Sequence, residues 1–326
     1  MSGALWAVTS YYNPAGYQRR KANYLLFRER LALPLLTVEW SPTGEFELRP
    51  GDADLLIQLR GGDVMWQKER LLNLGVARLP PQCTHVAWVD CDLVFEREDL
   101  REAIFAALDA APFVQLFDRV AHLARTPLDA LARLGNCTNR TVTFEREGAA
   151  SAHGAAARAD QPPRVPVTFQ DHDHLGPIPT AGFAWAARRE LLERHPLFDE
   201  WIVGGGDSAY FYAAAGMPEY VVQNHSLAGP HRDHFLPRAC DLATEITGRI
   251  GHVPGRVYTL WHGNLEDRRY RSRFSILARH GFDPRRFLRQ SASGVWEWAY
   301  APPGLPEEIR AYFEQRNEDG LITASA

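Results

Sequence analysis

Two carboxylates one residue apart, Asp90 and Asp92, follow the apolar run from His85 to Val89 and precede Leu93, Val94 and Phe95. In extended backbone, residues two apart point the same way, so both carboxylates face one point beyond a strand's C-terminal end. Charges that close repel unless a cation sits between them. Hard oxygen ligands in that arrangement suit Mn²⁺ or Mg²⁺, and the crevice beyond strand C-termini is where open α/β sheets bind ligands. The same tripeptide also serves as a solvated turn that caps a strand, and on these residues alone both readings stand.

Other candidates are spread along the chain. Asp207 ends the run Gly204-Gly205-Gly206-Asp207. Glycines there let the backbone approach a ligand closely, and they set Asp207 at the start of a helix over 208–215, where a plain helix cap is the alternative. Tyr11, Tyr12 and Asn13 lie in a loop after the first strand; a tyrosine there can stack on a base and Asn13 can bond a ribose, or the loop is only a turn. Arg60 closes another strand, ahead of Gly61 and Gly62. Lys68 lies in the first half of a helix predicted over Val64 to Leu79, with Asp63 placed to cap it and Pro80-Pro81 to end it. His262 follows a strand over Arg256 to Trp261 and precedes a glycine. His225, His231 and His234 fall in a polar connection, and Asp171 to His174 read as a solvated turn rather than a metal site. The arginines from Arg268 to Arg273 read mostly as a solvated helix face, with phosphate contact as the alternative.

The elements that must position these residues follow from pattern. Buried strands are predicted over Ala4–Ser10, Leu35–Trp40, Asp54–Leu59, His85–Val89 and Phe113–Phe117, with a short one over Phe46–Leu48. Helices over 20–31, 64–79 and 98–110 separate them, an order that argues a mostly parallel α/β sheet flanked by helices. Residues 148–164 are rich in Ala, Gly and Pro without hydrophobic period, so 144–175 is expected to be a long mobile loop. Further on come a strand over 180–185, helices over 188–195 and 236–250, a short strand over 221–223 and a last helix over 306–317. The domain reading is 1–283 for the catalytic unit and 284–326 for a C-terminal extension packed on it. The chain has 326 residues, 45% hydrophobic and 23% charged, with net charge −4. Nothing in that balance points to nucleic acid or a membrane surface. No run has transmembrane length and the N-terminus lacks signal-peptide character. Cys83, Cys91, Cys137 and Cys240 are scattered, which fits free thiols in a reducing compartment. The sequons at Asn136 and Asn139 mean little without a secretory signal. A cytoplasmic protein without a membrane span is the expectation.

Four blocks, in order, resemble GT-A-fold glycosyltransferases, and most closely the inverting β-1,4-galactosyltransferase family. They are Trp66-Gln-Lys-Glu-Arg-Leu-Leu-Asn-Leu-Gly75, Val89-Asp-Cys-Asp-Leu93, Ala181-Gly-Phe-Ala-Trp-Ala186 with Gly204-Gly-Gly-Asp207, and Leu260-Trp-His-Gly263 with Arg268 to Phe274. The resemblance implies a GT-A-type, Rossmann-like fold and transfer of a sugar from a nucleotide diphosphate donor, UDP-linked in the first instance, to a hydroxyl acceptor. It implies Asp90, Asp92 and His262 as Mn²⁺ (or Mg²⁺) ligands and Asp207 as the base that deprotonates the acceptor. It implies donor contacts from Lys68, Asp90 and Arg60, beside Tyr11 and Asn13, and acceptor contacts from Trp201, Gly205 and Gly206. Lys68 stands where the family has an arginine, which keeps the charge without the bidentate fork. The acceptor loop lacks one of the family's carboxylates and both of its tryptophans, with only Trp201 nearby, so the acceptor need not be a GlcNAc-type sugar. A retaining transferase, a non-catalytic nucleotide-sugar or glycan binder, and a metal-dependent nucleotidyltransferase are the other readings. The last would want a basic, Gly-rich loop near the N-terminus, which Tyr11 to Gly16 is not.

Overall fold

The computed structural model describes residues 4–131, 141–158, 179–270 and 272–321. In chain order its strands are β1 (Ala4–Tyr12), β2 (Leu35–Ser41), β3 (Leu55–Arg60), β4 (Cys83–Val89), β5 (Leu93–Phe95), β6 (Phe113–Gln115), β7 (Arg119–Leu123), β8 (Val142–Glu147), β9 (Ala184–Arg188), β10 (Ile250–His252), β11 (Arg256–Thr259), β12 (Leu288–Gln290) and β13 (Trp296–Trp298). The helices are α1 (Gln18–Arg30), α2 (Lys68–Val76), α3 (Leu100–Ala110), α4 (Leu128–Leu131), α5 (Ala149–Arg158), α6 (Arg189–Arg194), α7 (Gly206–Ala214), α8 (Pro218–Asn224), α9 (Gly229–Ile246), α10 (Phe274–Arg279), α11 (Pro284–Phe287) and α12 (Leu305–Gln315).

Seven strands form the central sheet in the order β10-β6-β9-β4-β1-β2-β3. β4, β1, β2 and β3 pair in parallel, as do β10 and β6. Only β9 runs against both of its neighbours, β4 and β6. β2 is buried along its whole length and β1 almost so, as a sheet covered on both faces requires. Alternate residues feed opposite cores: Val8 and Trp88 belong to one, Ala7 and Ala87 to the other. Helix α2 lies very close to the first face, because a Cβ on Gly75 would stand 2.6 Å from Val8 Cγ1.

A second sheet, β5-β11-β7-β8, starts where the first stops. The chain leaves β4 at Val89, turns through Asp90-Cys91-Asp92 and enters β5 at Leu93. The paired acids therefore sit at the corner between two sheets. β11 lies antiparallel to β5, and just past its end the Leu260 N–H donates to the Asp92 carbonyl at 2.9 Å.

Several elements differ from the sequence expectation. Helix α2 begins at Lys68, not Val64, and Asp63 does not cap it: its carboxylate accepts the Trp298 N–H at 2.8 Å instead. Phe46–Leu48 is not a strand. The expected loop over 144–175 holds most of β8 and all of α5; residues 159–178, including Asp171 to His174, lie outside the described residues. Alanine is the best helix former, and Ala149, Ala150, Ala152 and Ala156 are buried without giving a strong apolar period. Residues 221–223 belong to α8, which Pro218 opens, and α9 starts at Gly229, so His231 and His234 are helical. Arg268 ends a short 3₁₀ turn and α10 starts only at Phe274, so these arginines share no helix face. Segment 284–321 packs against the sheet unit: Gln67 exchanges hydrogen bonds with Trp296, and the Tyr17 hydroxyl donates to the Phe313 carbonyl. Cys83, Cys91 and Cys240 are free thiols, whereas Cys137, Asn136 and Asn139 lie outside the described residues. Among the described residues no helix is long and apolar enough to cross a membrane.

Candidate active site

The C-terminal ends of β1 and β4, the start of α2, the glycine loop before α7 and the loop after β11 all open into one cavity of about 360 Å³. Each brings one reactive group for a local reason. Asp90 is set by its N–H, which donates to the Phe183 carbonyl at 2.8 Å. Lys68 is the first residue of α2, whose entry is anchored by the Trp66 N–H on the Ile202 carbonyl at 2.8 Å and by Gln67 on β13. Gly205, at φ +108, turns the chain into α7 so that Asp207 falls in the first helical turn, where the helix dipole favours an anion. A relay holds that turn: Trp201 Nε1–H donates to His225 Nδ1 at 2.8 Å, His225 Nε2 faces Ser208 Oγ at 3.1 Å, and Ser208 Oγ donates to the Gly205 carbonyl at 2.9 Å.

Lys68 Nζ lies 2.5 Å from Asp90 Oδ1 and 2.5 Å from Asp207 Oδ2. Burial opposes the ammonium, but Asp207 and Asp90 outweigh it and hold Lys68 well above its ordinary value. Glu69, the next residue, lines the same cavity and is 3% exposed. Burial and the charge of Asp207 push its carboxyl up to about 8, so it is protonated at neutral pH. It fills the space left by the missing side chain of Gly206, where a Cβ would stand 2.5 Å from Glu69 Cδ. On the other side of the corner, His262 Nδ1 lies 2.8 Å from the Leu260 carbonyl and 3.1 Å from Asp92 Oδ2. Both are acceptors, which assigns the proton to Nδ1 and leaves Nε2 a lone pair. Burial and the neighbouring Arg268 keep this imidazole neutral, well below its ordinary value. Burial and Asp90 push the Asp92 carboxyl up to about 7.

The cavity's rim is cationic. Arg20 and Arg316 both bind Glu318, at 3.1 and 2.7 Å. Arg273 donates to the Tyr312 hydroxyl at 3.0 Å. Several buried polar atoms that line the cavity have no partner among the described residues: Trp66 Nε1, Arg268 Nε, Arg273 Nε, Arg146 Nη2, His122 Nε2 and Asp92 Oδ1.

The residues expected from sequence divide accordingly. Asp90, Asp92, Lys68, Asp207, Gly205 and His262 come together in the cavity. Tyr11 does not. Successive strand residues face opposite ways, so Tyr12 enters the cavity while Tyr11 is buried against Tyr24 with its hydroxyl on Glu47. Asn13 is spent on Tyr17 and Glu47. Arg60 is exposed at the end of edge strand β3, away from the cavity. Trp201 is a core residue packed on Phe198 and Phe235, and Gly206 acts by making room for Glu69. Sequence reasoning missed Glu69, Arg20, His122, Arg146 and Arg316. Of these only Glu69, beside Lys68 in the helix block, carried a local signal.

For a cation, no three His, Cys, Asp or Glu side chains form a ready-made cage among the described residues. His262 turns Nδ1 to Asp92 and the Leu260 carbonyl and keeps the lone pair of Nε2. A smaller set fits. Asp92 Oδ1 is buried and unpartnered, and Asp90 stands two residues away. Mg²⁺ and Mn²⁺ in nucleotide sites are commonly held by one or two carboxylates, with substrate phosphates completing the shell.

No protein-family model and no curated protein sequence matches the chain. Among solved structures it is similar to a 4-diphosphocytidyl-2C-methyl-D-erythritol synthase from Anaerococcus prevotii DSM 20548, at 11% identity and TM-score 0.33, over 78% of this chain and 87% of that one. It is also similar to the 1–349 portion of S. aureus TarS, at 11% identity and TM-score 0.32, over 75% and 72%. A longer TarS chain gives 11% identity and TM-score 0.32, over 73% of this chain and 43% of that one. Likeness at this level carries no inference about what this chain binds or does.

Proposed function

We propose that this chain is a glycosyltransferase that moves a sugar from a nucleotide diphosphate sugar, UDP-linked in the first instance, to a hydroxyl acceptor, with inversion and with a divalent cation. The observation that carries this reading is the line Asp90–Lys68–Asp207. One ammonium, 2.5 Å from each carboxylate, joins the paired acids at the sheet corner to the acid at the start of α7. The four sequence blocks that resemble the inverting β-1,4-galactosyltransferases supply these same residues. Mn²⁺ or Mg²⁺ held by Asp92 and Asp90 would offset the charge that grows on the leaving diphosphate. Asp207 accepts the proton of the acceptor hydroxyl while that oxygen bonds the anomeric carbon and the carbon–phosphate oxygen bond breaks on the opposite face. Lys68, 2.5 Å from Asp207 Oδ2, fixes the orientation of that carboxylate. Protonated Glu69 offers an O–H beside that base, a second polar contact for the acceptor.

The test is a thermal-shift screen of UDP, GDP, CDP and their sugars, each with Mn²⁺ and with EDTA, since a ligand of the native state raises Tm. A metal-dependent shift with one nucleotide is expected. Asp207→Asn should keep that shift and lose about 10²–10⁴-fold in turnover. No shift with any nucleotide would sink the transferase reading in favour of a glycan-binding protein. Near-full turnover in Asp207→Asn, or retained configuration in the product, would remove Asp207 as base.

A further inference from the structure

On the second sheet's side of the cavity, the buried Arg268 and the half-buried Arg146 and His122 present polar atoms with no hydrogen-bond partner among the described residues. Arg268 is 5% exposed. Its Nη1 donates to the Tyr270 hydroxyl at 2.9 Å and its Nη2 to the His262 carbonyl at 3.1 Å, and its Nε is unpartnered. Among the described residues no carboxylate lies within ion-pair distance of it. Arg146 comes from β8, where residues two apart share a face, so it stands beside Phe144. Its guanidinium carbon lies 5.2 Å from the Phe144 ring centre, and Nη2 is unpartnered. His122 on β7 is paired directly with Phe144 and stacks on its ring at 4.1 Å, with Nε2 unpartnered. All three side chains line the cavity. The Asp92 carboxylate acts on Arg268 only through space and pairs with neither guanidinium, and burial beside the two arginines keeps His122 neutral. Buried polar atoms left without a hydrogen bond are costly, and a fold tolerates them where a ligand supplies the partner. Guanidinium forks match the oxygens of phosphate, and the aromatic wall holds one fork in plane.

We propose that Arg268, Arg146 and His122 form an oxyanion subsite for a phosphoryl group, one that fills without a divalent cation. Lys68 and the paired acids do not contribute to it. The phosphoryl group has two sources, the donor's diphosphate or a phosphate on the acceptor, and the subsite chemistry is the same for both. This inference stands on the unpartnered donors and not on sugar transfer.

The experiment is calorimetric titration of the full chain with inorganic pyrophosphate in EDTA. Wild type should bind, and Arg146→Met and Arg268→Lys should each weaken binding about tenfold or more, the loss expected of one charge-assisted hydrogen bond. Arg268→Lys keeps the charge and a donor for the His262 carbonyl; Arg146→Met sits on a half-exposed strand and tests the subsite should the other variant fold poorly. UDP with Mn²⁺ then separates the sources. Competition with pyrophosphate assigns the subsite to the donor; simultaneous binding assigns it to the acceptor. No pyrophosphate binding by wild type, or unchanged binding in both variants, overturns the proposal. The nucleotide-sugar reading fails separately, by the absence of any Mn²⁺-dependent nucleotide shift.

Discussion

Replacing Lys68 by methionine removes the one ammonium that faces both Asp90 and Asp207 and keeps the stem that packs in the cavity wall. Removing one partner of a buried ion pair costs about 3–5 kcal/mol, because an uncompensated charge stays behind. Here two carboxylates stay behind, but their side chains are 26% and 17% exposed, so water reaches both. The low end applies, and the expected loss is about 3 kcal/mol at pH 7, roughly a hundredfold in the folding equilibrium. The ammonium's folded value lies well above its ordinary 10.5, so its contribution is complete at neutral pH and disappears only as pH rises through the folded value. In the variant, Asp90, which burial already holds above the ordinary carboxyl value, sheds the repulsion by taking up a proton, so the deficit shrinks as pH falls through the carboxyl range. The assay is urea unfolding of both proteins between pH 4.5 and 8, read at unchanged m. Adding Asp207→Asn should return part of the loss, since it deletes one of the stranded charges. A deficit below about 1 kcal/mol at pH 7, or one that grows as pH falls, would refute the bridging role.

Gly206→Ala should cost about 1–3 kcal/mol by overpacking against Glu69, and Gly206→Ala with Glu69→Ser should recover most of it in the same unfolding assay. Glu69→Gln tests the raised carboxyl: wild type is expected to lose stability with rising pH between the ordinary value of 4.5 and the folded value of about 8, by up to about 1.4 kcal/mol per pH unit, and the glutamine variant to lack that slope. Asp92→Asn should abolish the Mn²⁺-dependent part of any nucleotide thermal shift while leaving the EDTA baseline intact. Gly75→Ala should lower Tm without changing ligand affinity at low temperature, because its Cβ would meet Val8 and Val38 in the core, and none of these three lines the cavity.

The chemistry was legible where it was local. A buried apolar run ending in Asp-x-Asp predicts a strand with two acids past its C-terminal end; β4 does end at Val89, and both acids line the cavity, carried there by a turn rather than by extended backbone. The glycine run before Asp207 predicts a tight turn into a helix, and Gly205 at φ +108 makes it. Facing was harder to read. Nothing in Tyr11-Tyr12 says which ring enters the cavity, since the choice depends on register against β2 and β4. The arginines after His262 look like a solvated face in sequence, yet Arg268 and Arg273 are buried because loop and 3₁₀ geometry, not a helix, carries them inward. Alanine hides α5, and Pro218 and Pro230 open helices α8 and α9 where the pattern suggests a short strand and a polar connection. Glu69 escaped because its partner is an empty place, the absent side chain at Gly206, which only packing reveals.

The seam between the first helix and the last segment bears on the order in which the protein is made. Gln18 and Arg19 N–H groups donate to Asp319, and Arg20 grips Glu318, which also holds Arg316 at the rim of the cavity. The first strand and its tyrosine leave the ribosome about three hundred residues before the groups that close over them. Until Glu318 emerges, the cleft therefore stands open on that side, with Arg20 lacking this counter-ion.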